Sequence, residues 1–267
     1  MSNIAIFGYP FPREWLSQAE IVYLEQLPMA LPSVEWVWEE LDRVWRNLSL
    51  DNRLSLQGQA IGRYYSHPVW LMNGVFTALD PASVSHRRSI ARYLCHVEAT
   101  LVGDFGGGFG ELARAITVAN PAATVCIVEP HPSRVMQEII QTEHRIRLAP
   151  SLSDNRYDAI VAQDVLEHVE DPILLASEIA GAVRKGGRVI FANCFYPMIQ
   201  CHLPSTFHLR HTFHWVMRAL GLHYLGRVDG AAHAQVFERV GQLDFARARR
   251  AEAFSRLLGP VLNRVRS

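Results

Sequence analysis

Thr100-Leu101-Val102-Gly103-Asp104-Phe105-Gly106-Gly107-Gly108-Phe109-Gly110-Glu111-Leu112-Ala113-Arg114-Ala115-Ile116 is the stretch that decides how the rest of the chain is read. A short apolar run ends at an acidic residue. A glycine cluster follows, and then Leu112, Ala115, Ile116 and Ala119 recur at helical spacing. The order is strand, tight turn, helix. Glycines at such a turn admit backbone conformations closed to other residues and let a ligand approach the main chain. The helix behind them aims its N-terminal N–H groups at that ligand.

Two spacings overlap in this turn. Gly108-Phe109-Gly110-Glu111-Leu112-Ala113 fits G-x-G-x-x-G/A, the pattern that seats a dinucleotide pyrophosphate on a helix N-terminus. Asp104-x-Gly106-x-Gly108-x-Gly110 is a different pattern, an acid at the strand end with glycines at every second position. The glycines alone do not separate the two.

Downstream of residue 99, strand and helix patterns alternate. The spacing predicts strands over 101–105, 123–128, 146–148, 157–162 and 188–193. It predicts helices over 132–141 and 172–183, with Lys185-Gly186-Gly187 as a helix stop. Strands separated by helices imply right-handed crossovers and a parallel sheet covered on both faces. Ligands then bind at the carboxyl ends of the strands. A loop over 195–210 and a helix over 211–220, ending at Gly221, come next. Two close strands, 224–228 and 235–239, follow around Asp229-Gly230 and residues 231–234. Strands this close need no helical crossover and pair antiparallel.

Upstream, residues 1–97 read as an all-helical N-terminal region that serves as a lid or a dimerisation surface. Ser33 caps a helix carrying Val34, Trp36, Val37, Trp38, Leu41, Val44, Trp45 and Leu48. Tyr64, Tyr65, His67 and Trp70 group aromatic and polar side chains as a small-molecule pocket requires, so they are the candidate substrate-binding residues, with Tyr196 from the later loop. Residues 98–242 form the sheet domain. Residues 243–267 form a basic helix or tail, read as a solvated face.

Composition narrows the classes. The 267 residues are 49% hydrophobic and carry 26 basic and 26 acidic side chains, a net charge of +0. Such a balance gives no sign of the basic face that nucleic acid demands and no pull toward a membrane surface. No apolar run is long enough to cross a bilayer, and the patch at 4–7 lacks the basic lead of a signal peptide. Cys95, Cys126, Cys194 and Cys201 form no C-x-x-C pair, which points to a reducing, cytoplasmic setting.

Two further segments sharpen the reading. Tyr157-Asp158-Ala159-Ile160-Val161-Ala162-Gln163-Asp164-Val165-Leu166-Glu167-His168-Val169-Glu170-Asp171-Pro172 and Ala182-Val183-Arg184-Lys185-Gly186-Gly187-Arg188-Val189-Ile190 follow the glycine turn in order. With the Asp104–Gly110 pattern, they resemble the motif I, fourth-strand and pre-fifth-strand segments of the class I S-adenosylmethionine-dependent methyltransferases. The resemblance spans roughly residues 99 to 240. It implies an α/β fold, a doubly wound, mostly parallel seven-stranded sheet with an antiparallel C-terminal hairpin. It implies S-adenosyl-L-methionine as cofactor and S-adenosyl-L-homocysteine as product. It implies that Asp104, Phe105, Gly106, Gly107, Gly108 and Gly110 line the methionine and ribose, and that Glu129, with Pro130 beside it, holds the ribose hydroxyls. By the same resemblance Gln163, Asp164 and Val165 pass beside the sulfonium. The acid that many members place after the third strand is missing at 148–153, so adenine recognition falls to Ser151 and Leu152, with Asp154 late.

Methyl transfer to a hydroxyl needs a base with a pKa near the working pH, and histidine fits. Of 12 histidines, His168 follows the fourth strand, and His202 and His208 lie in the loop that faces the acceptor. These three are the candidate catalytic residues. A metal site from His208, His211 and His214 with Cys194 or Cys201 is the weaker reading, because Arg210 stands among them without a carboxylate, so no metal is expected. The expected activity is methyl transfer to a small molecule, in biosynthesis such as secondary metabolism, with neither a nucleic-acid nor a membrane partner. Homodimerisation through the N-terminal region is compatible with it. The alternatives are a nicotinamide or flavin oxidoreductase in the same crevice and a non-catalytic module that binds S-adenosylmethionine.

Overall fold

A computed structural model describes residues 3–54, 59–129, 132–152 and 156–265. The chain opens on an antiparallel hairpin, not a helix. Strands β1 (Asn3–Ile6) and β2 (Tyr9–Pro12) meet at Phe7 and Gly8, whose φ angles are 51° and 81°. Two positive φ values are what a two-residue hairpin turn matching strand twist requires. The expectation of an all-helical lead is corrected here. Pro10 and Pro12 argue against a central strand, but in a two-stranded ribbon they sit on an edge.

Helices α1 (Gln18–Leu24), α2 (Val34–Asn47), α3 (Gln59–Tyr65), α4 (Val69–Leu79) and α5 (Pro81–His96) follow. Ser17, Ser33 and Asp80 cap α1, α2 and α5 by accepting the N–H three residues on, and Pro81 occupies the first turn of α5. Trp45, Tyr64, Met72, Phe11 and Leu41 are buried together in one apolar cluster with the hairpin. Val135 and Cys201, from the later domain, complete that cluster, so the N-terminal region is not an independent unit.

The remaining elements are β3 (Leu101–Phe105), α6 (Glu111–Ala119), β4 (Thr124–Val128), α7 (Arg134–Gln141), β5 (Ile146–Ala149), β6 (Tyr157–Gln163), α8 (Pro172–Ala182), β7 (Val183–Ala192), α9 (Phe213–Leu220), β8 (Leu222–Val228), β9 (Ala231–Arg239) and α10 (Phe245–Val265). The seven-stranded sheet runs β5-β4-β3-β6-β7-β9-β8. Its first five strands are parallel, and β9 pairs antiparallel with both β7 and β8. Near-continuous apolar runs such as Val125–Val128 and Ala159–Ala162 are buried, as a sheet covered on both faces requires. No helix of the described residues is long and apolar enough to cross a membrane.

Three local expectations are corrected. Lys185-Gly186-Gly187 lies inside β7 and is not a helix stop. Helix α8 ends at Ala182, where Val183 turns extended and pairs with Tyr157. Gly187 is there because a Cβ would lie 2.6 Å from the Asp158 carbonyl across the ladder. Residues 231–234 belong to β9, so the turn is Asp229 and Gly230 alone. The basic C-terminal segment is not merely solvated. Helix α10 buries Ala248, Glu252, Ser255 and Gly259 against α9, α8 and the loop before α9, and Arg249 and Arg256 flank Glu252 in ion pairs.

Candidate active site

The glycine turn takes its shape from contacts that leave no room for side chains. Gly106, Gly108 and Gly110 have φ of 69°, 49° and 77°. A Cβ on Gly107 would lie 2.4 Å from Asp104 Oδ2, one on Gly106 2.8 Å from the Val165 Cγ2 methyl, and one on Gly110 2.7 Å from Ile140 Cδ1. Gly110 stands at the N-cap of α6 with no side-chain cap, and the Asp104 carboxyl takes a backbone hydrogen bond from Ala113 in the first turn. Phe109 points the other way, toward Gly74 of α4, and its ring centroid is 6.5 Å from that of Phe11. The tip of the turn is thereby clamped under the N-terminal hairpin.

Asp104 is buried at 2% exposure, and its Oδ2 has no partner. Burial, and next the charge of Glu129, drive its carboxyl up to about 7, against the opposing pull of Arg87. Glu129 stands half-buried just past β4, and its N–H donates to the Ala149 carbonyl at 3.3 Å. Ser151 is exposed and Leu152 half-buried beyond β5. Phe105 pairs with Ala162 in register, so the end of β3 adjoins Gln163, Asp164 and Val165 at the end of β6. Asp164 has φ of 52°, an uncommon left-handed conformation that aspartate tolerates better than most, and its N–H donates to the Ala192 carbonyl at 2.8 Å. It keeps solvent access, yet crowding by protein atoms raises its carboxyl above the usual range. Pro130 and Asp154 lie outside the described residues.

Past β6 the chain makes a short turn at Leu166–His168 that brings a second set of groups to the same rim. His168 Nδ1 is 3.1 Å from the Cys201 carbonyl, and His202 Nδ1 is 2.9 Å from the Tyr196 carbonyl. A carbonyl can only accept, so both rings carry their proton on Nδ1 and keep a lone pair on Nε2. The rings stand 4.9 Å apart and edge to face. Burial lowers both imidazoles, His168 to about 3, so both are neutral near pH 7. Glu167, fully buried, accepts the Cys194 N–H at 2.7 Å through Oε1, while Oε2 has no partner. Burial, then the Asp164 charge, raises Glu167 to about 8. The sequence placed Glu167 inside a quoted motif without giving it a role; an acid directly before His168 was the available signal.

Trp70 lies edge-on to His168 at 6.3 Å and contacts Tyr64 and Tyr65 at 5.5 and 5.3 Å. The aromatic group read from the N-terminal sequence is therefore joined to the histidine pair. Tyr64 is wholly buried behind it, against Trp45 and the Cys201 thiol. Tyr196 joins through its carbonyl, and Arg210 lies over its ring at 4.7 Å. Asp42 of α2 accepts the Gln200 N–H at 2.7 Å, and Asn52 donates to the Gln200 carbonyl at 2.7 Å, fixing the loop beneath the N-terminal region.

Two sequence candidates fall elsewhere. His67 accepts the Val69 N–H through Nδ1 and packs on Tyr23, lining a surface recess of about 140 Å³ with Arg43 and Asn47. His208 packs against α10, where Glu252 is 3.7 Å from its Nε2 and burial lowers it to about 4. His214 stacks near Tyr224, so the triplet of His208, His211 and His214 is not gathered into one site.

This order of strands, with an antiparallel closing hairpin and a glycine turn after the first sheet strand, defines the class I methyltransferase fold. The sequence profile described as "Methyltransferase domain" matches residues 98–239. The chain belongs to this methyltransferase family. An O-methyltransferase family protein from Burkholderia thailandensis superposes with TM-score 0.53 at 16% identity, over 88% of this chain and 79% of that one. Human N-acetylserotonin methyltransferase, in complex with S-adenosylmethionine, gives 0.54 at 16% identity, over 77% and 67%. Mitomycin 7-O-methyltransferase gives 0.52 at 16% identity, over 78% and 69%. No curated protein matches the chain.

Proposed function

We propose that the protein transfers a methyl group from S-adenosylmethionine to a hydroxyl of a small molecule held under the N-terminal region. The observation that carries this reading is the shared rim, where Val165, three residues before His168, touches the position a Gly106 side chain would fill. This adjacency of the glycine turn to the segment carrying His168 supports one shared site. The family relationship supports the chemistry. The residues also fit the cofactor: a bare glycine turn admits a ligand against the main chain, and the orphaned Asp104 oxygen offers an acceptor to a cationic or hydroxyl donor.

Bound S-adenosylmethionine supplies an electrophilic methyl carbon on a positive sulfur. Asp104, Phe105, Gly106, Gly107, Gly108 and Gly110 would line its methionine and ribose. Glu129 would take the ribose diol, Ser151 and Leu152 the adenine edge, and Gln163 to Val165 the flank of the sulfonium. The chain's own task is alignment and exclusion of water. Trp70, Tyr65 and the loop pinned by Asp42 and Asn52 close the acceptor side. His168 Nε2, left bare because Nδ1 donates to the Cys201 carbonyl, would take the proton that the acceptor hydroxyl releases on methylation, with burial making this imidazole a weaker base than a free histidine. His202 holds the neighbouring lone pair. The apolar side of the N-terminal region is spent on Phe109, Val135 and Cys201, which favours a lid over a dimer surface. Charge balance favours an acceptor that is not nucleic acid, and biosynthesis of a small metabolite in the cytoplasm is the fitting setting.

Thermal stabilisation tests the cofactor. S-adenosylhomocysteine raises the melting temperature and NAD does not; stabilisation by NAD alone would overturn the assignment.

A further inference from the structure

Glu167, His168 and His202 each present one nitrogen or oxygen within 4.8 Å of the other two. They come from two places in the chain, the turn after β6 and the loop that follows β7, and only folding unites them. Three features of the group exceed what a proton acceptor needs. Both imidazoles donate Nδ1–H to backbone carbonyls, which fixes ring orientation and leaves Nε2 bare. Metal-bound histidines carry this same arrangement, the other ring nitrogen donating to a carbonyl or carboxylate. Glu167 is fully buried, with Oε1 accepting the Cys194 N–H and Oε2 unpartnered. A buried polar oxygen left without a partner is costly unless something fills the place beside it. Finally, two imidazoles and one carboxylate form a three-ligand set that leaves a position open toward the crevice.

We propose that Glu167, His168 and His202 bind a divalent transition-metal ion of the zinc or cobalt type at the acceptor end of the crevice. Tetrahedral ligand bonds of about 2.0–2.2 Å set the three atoms about 3.4 Å apart, so from their outer limit of 4.8 Å they would draw together by about 1.4 Å. Cys194 is outside the set, since the atoms that gather within 4.8 Å come from Glu167, His168 and His202. The ion would fasten the loop carrying His202 to the sheet. It would also acidify an acceptor oxygen in its open position, taking over the work that His168 does without it. This inference shares its residues with the proposed base but is measured without acceptor or cofactor, so either can fail alone.

Protein stripped with a chelator and dialysed is titrated with zinc and cobalt chloride by calorimetry, and the cobalt form is read by its visible d–d bands. One ion per chain is expected, with intense bands of a four- or five-coordinate site. His202→Ala and Glu167→Gln should each weaken zinc by at least about tenfold, while His144→Ala, an exposed histidine, binds as the parent does. Far-ultraviolet circular dichroism and a cooperative thermal melt confirm that each variant is folded. Binding of less than one equivalent, weak octahedral-type cobalt bands, or equal loss in His144→Ala would overturn the site.

Discussion

The glycine turn and the aromatic–histidine cluster are built in opposite ways. The turn proposed for the cofactor is contiguous: Asp104 to Gly110 is one stretch of chain, and its shape resides in main chain and in the side chains that glycines lack. The cluster proposed for the acceptor is assembled from Trp70 of α4, Glu167 and His168 after β6, and Tyr196, Cys201 and His202 from the loop, and it is made of side chains. A ligand shared by a whole family can be held by backbone geometry, which tolerates drift elsewhere. A private substrate calls for side-chain chemistry, and that chemistry is collected from wherever the fold brings it.

That contrast breaks at defined points. His168→Ala removes the proton acceptor and should lower acceptor-dependent formation of S-adenosylhomocysteine by about 10²–10⁴-fold with product affinity unchanged; loss of that affinity would mean turn and cluster are not separable. Gly106→Ala adds a Cβ 2.8 Å from Val165 at a φ of 69° and should weaken S-adenosylhomocysteine by about 10–100-fold in calorimetry, from strain and overlap together. Parent-like binding would show that the turn is not the cofactor's seat. Glu129→Ala should cost about tenfold in the same titration, the worth of charge-assisted bonds to a diol.

A smaller effect is read in stability. Asp104 titrates near 7 in the fold against the usual carboxylate value when unfolded. The folded state then holds the extra proton between about pH 4 and 7. Stability falls as pH rises through that window, by at most about 4 kcal/mol from this group. Asp104→Asn should flatten the slope in denaturant titrations run from pH 5 to 8; an unchanged slope would show that Asp104 is ionised throughout. Smallest of all, Trp70→Ala should raise the acceptor's KM a few-fold, the loss of an edge-to-face contact worth about 0.5–1.5 kcal/mol, with little change for the cofactor.

Much of this was legible beforehand. Period and spacing gave the seven strands of the sheet, the antiparallel close and the glycine turn, because each is a local pattern with a local cause. The short hairpin at residues 3–12 was not legible, since two four-residue strands broken by prolines carry too little periodicity. Nor was the end of α8: Lys185-Gly186-Gly187 has the composition of a helix stop, yet pairing of Val183 with Tyr157 overrides it. Of the histidines, spacing nominated His168, His202 and His208 alike; packing kept the first two together and turned the third to α10.

By itself the sequence determined the class of fold, the family and the glycine turn proposed to seat the cofactor, because residues adjacent in the chain are adjacent in that turn. Only the tertiary structure decided the partners at the acceptor end. Residues 70, 168 and 202 meet through the packing of the N-terminal region against the loop after β7, and no spacing along the chain encodes a distance that closes only when separate segments bury one another.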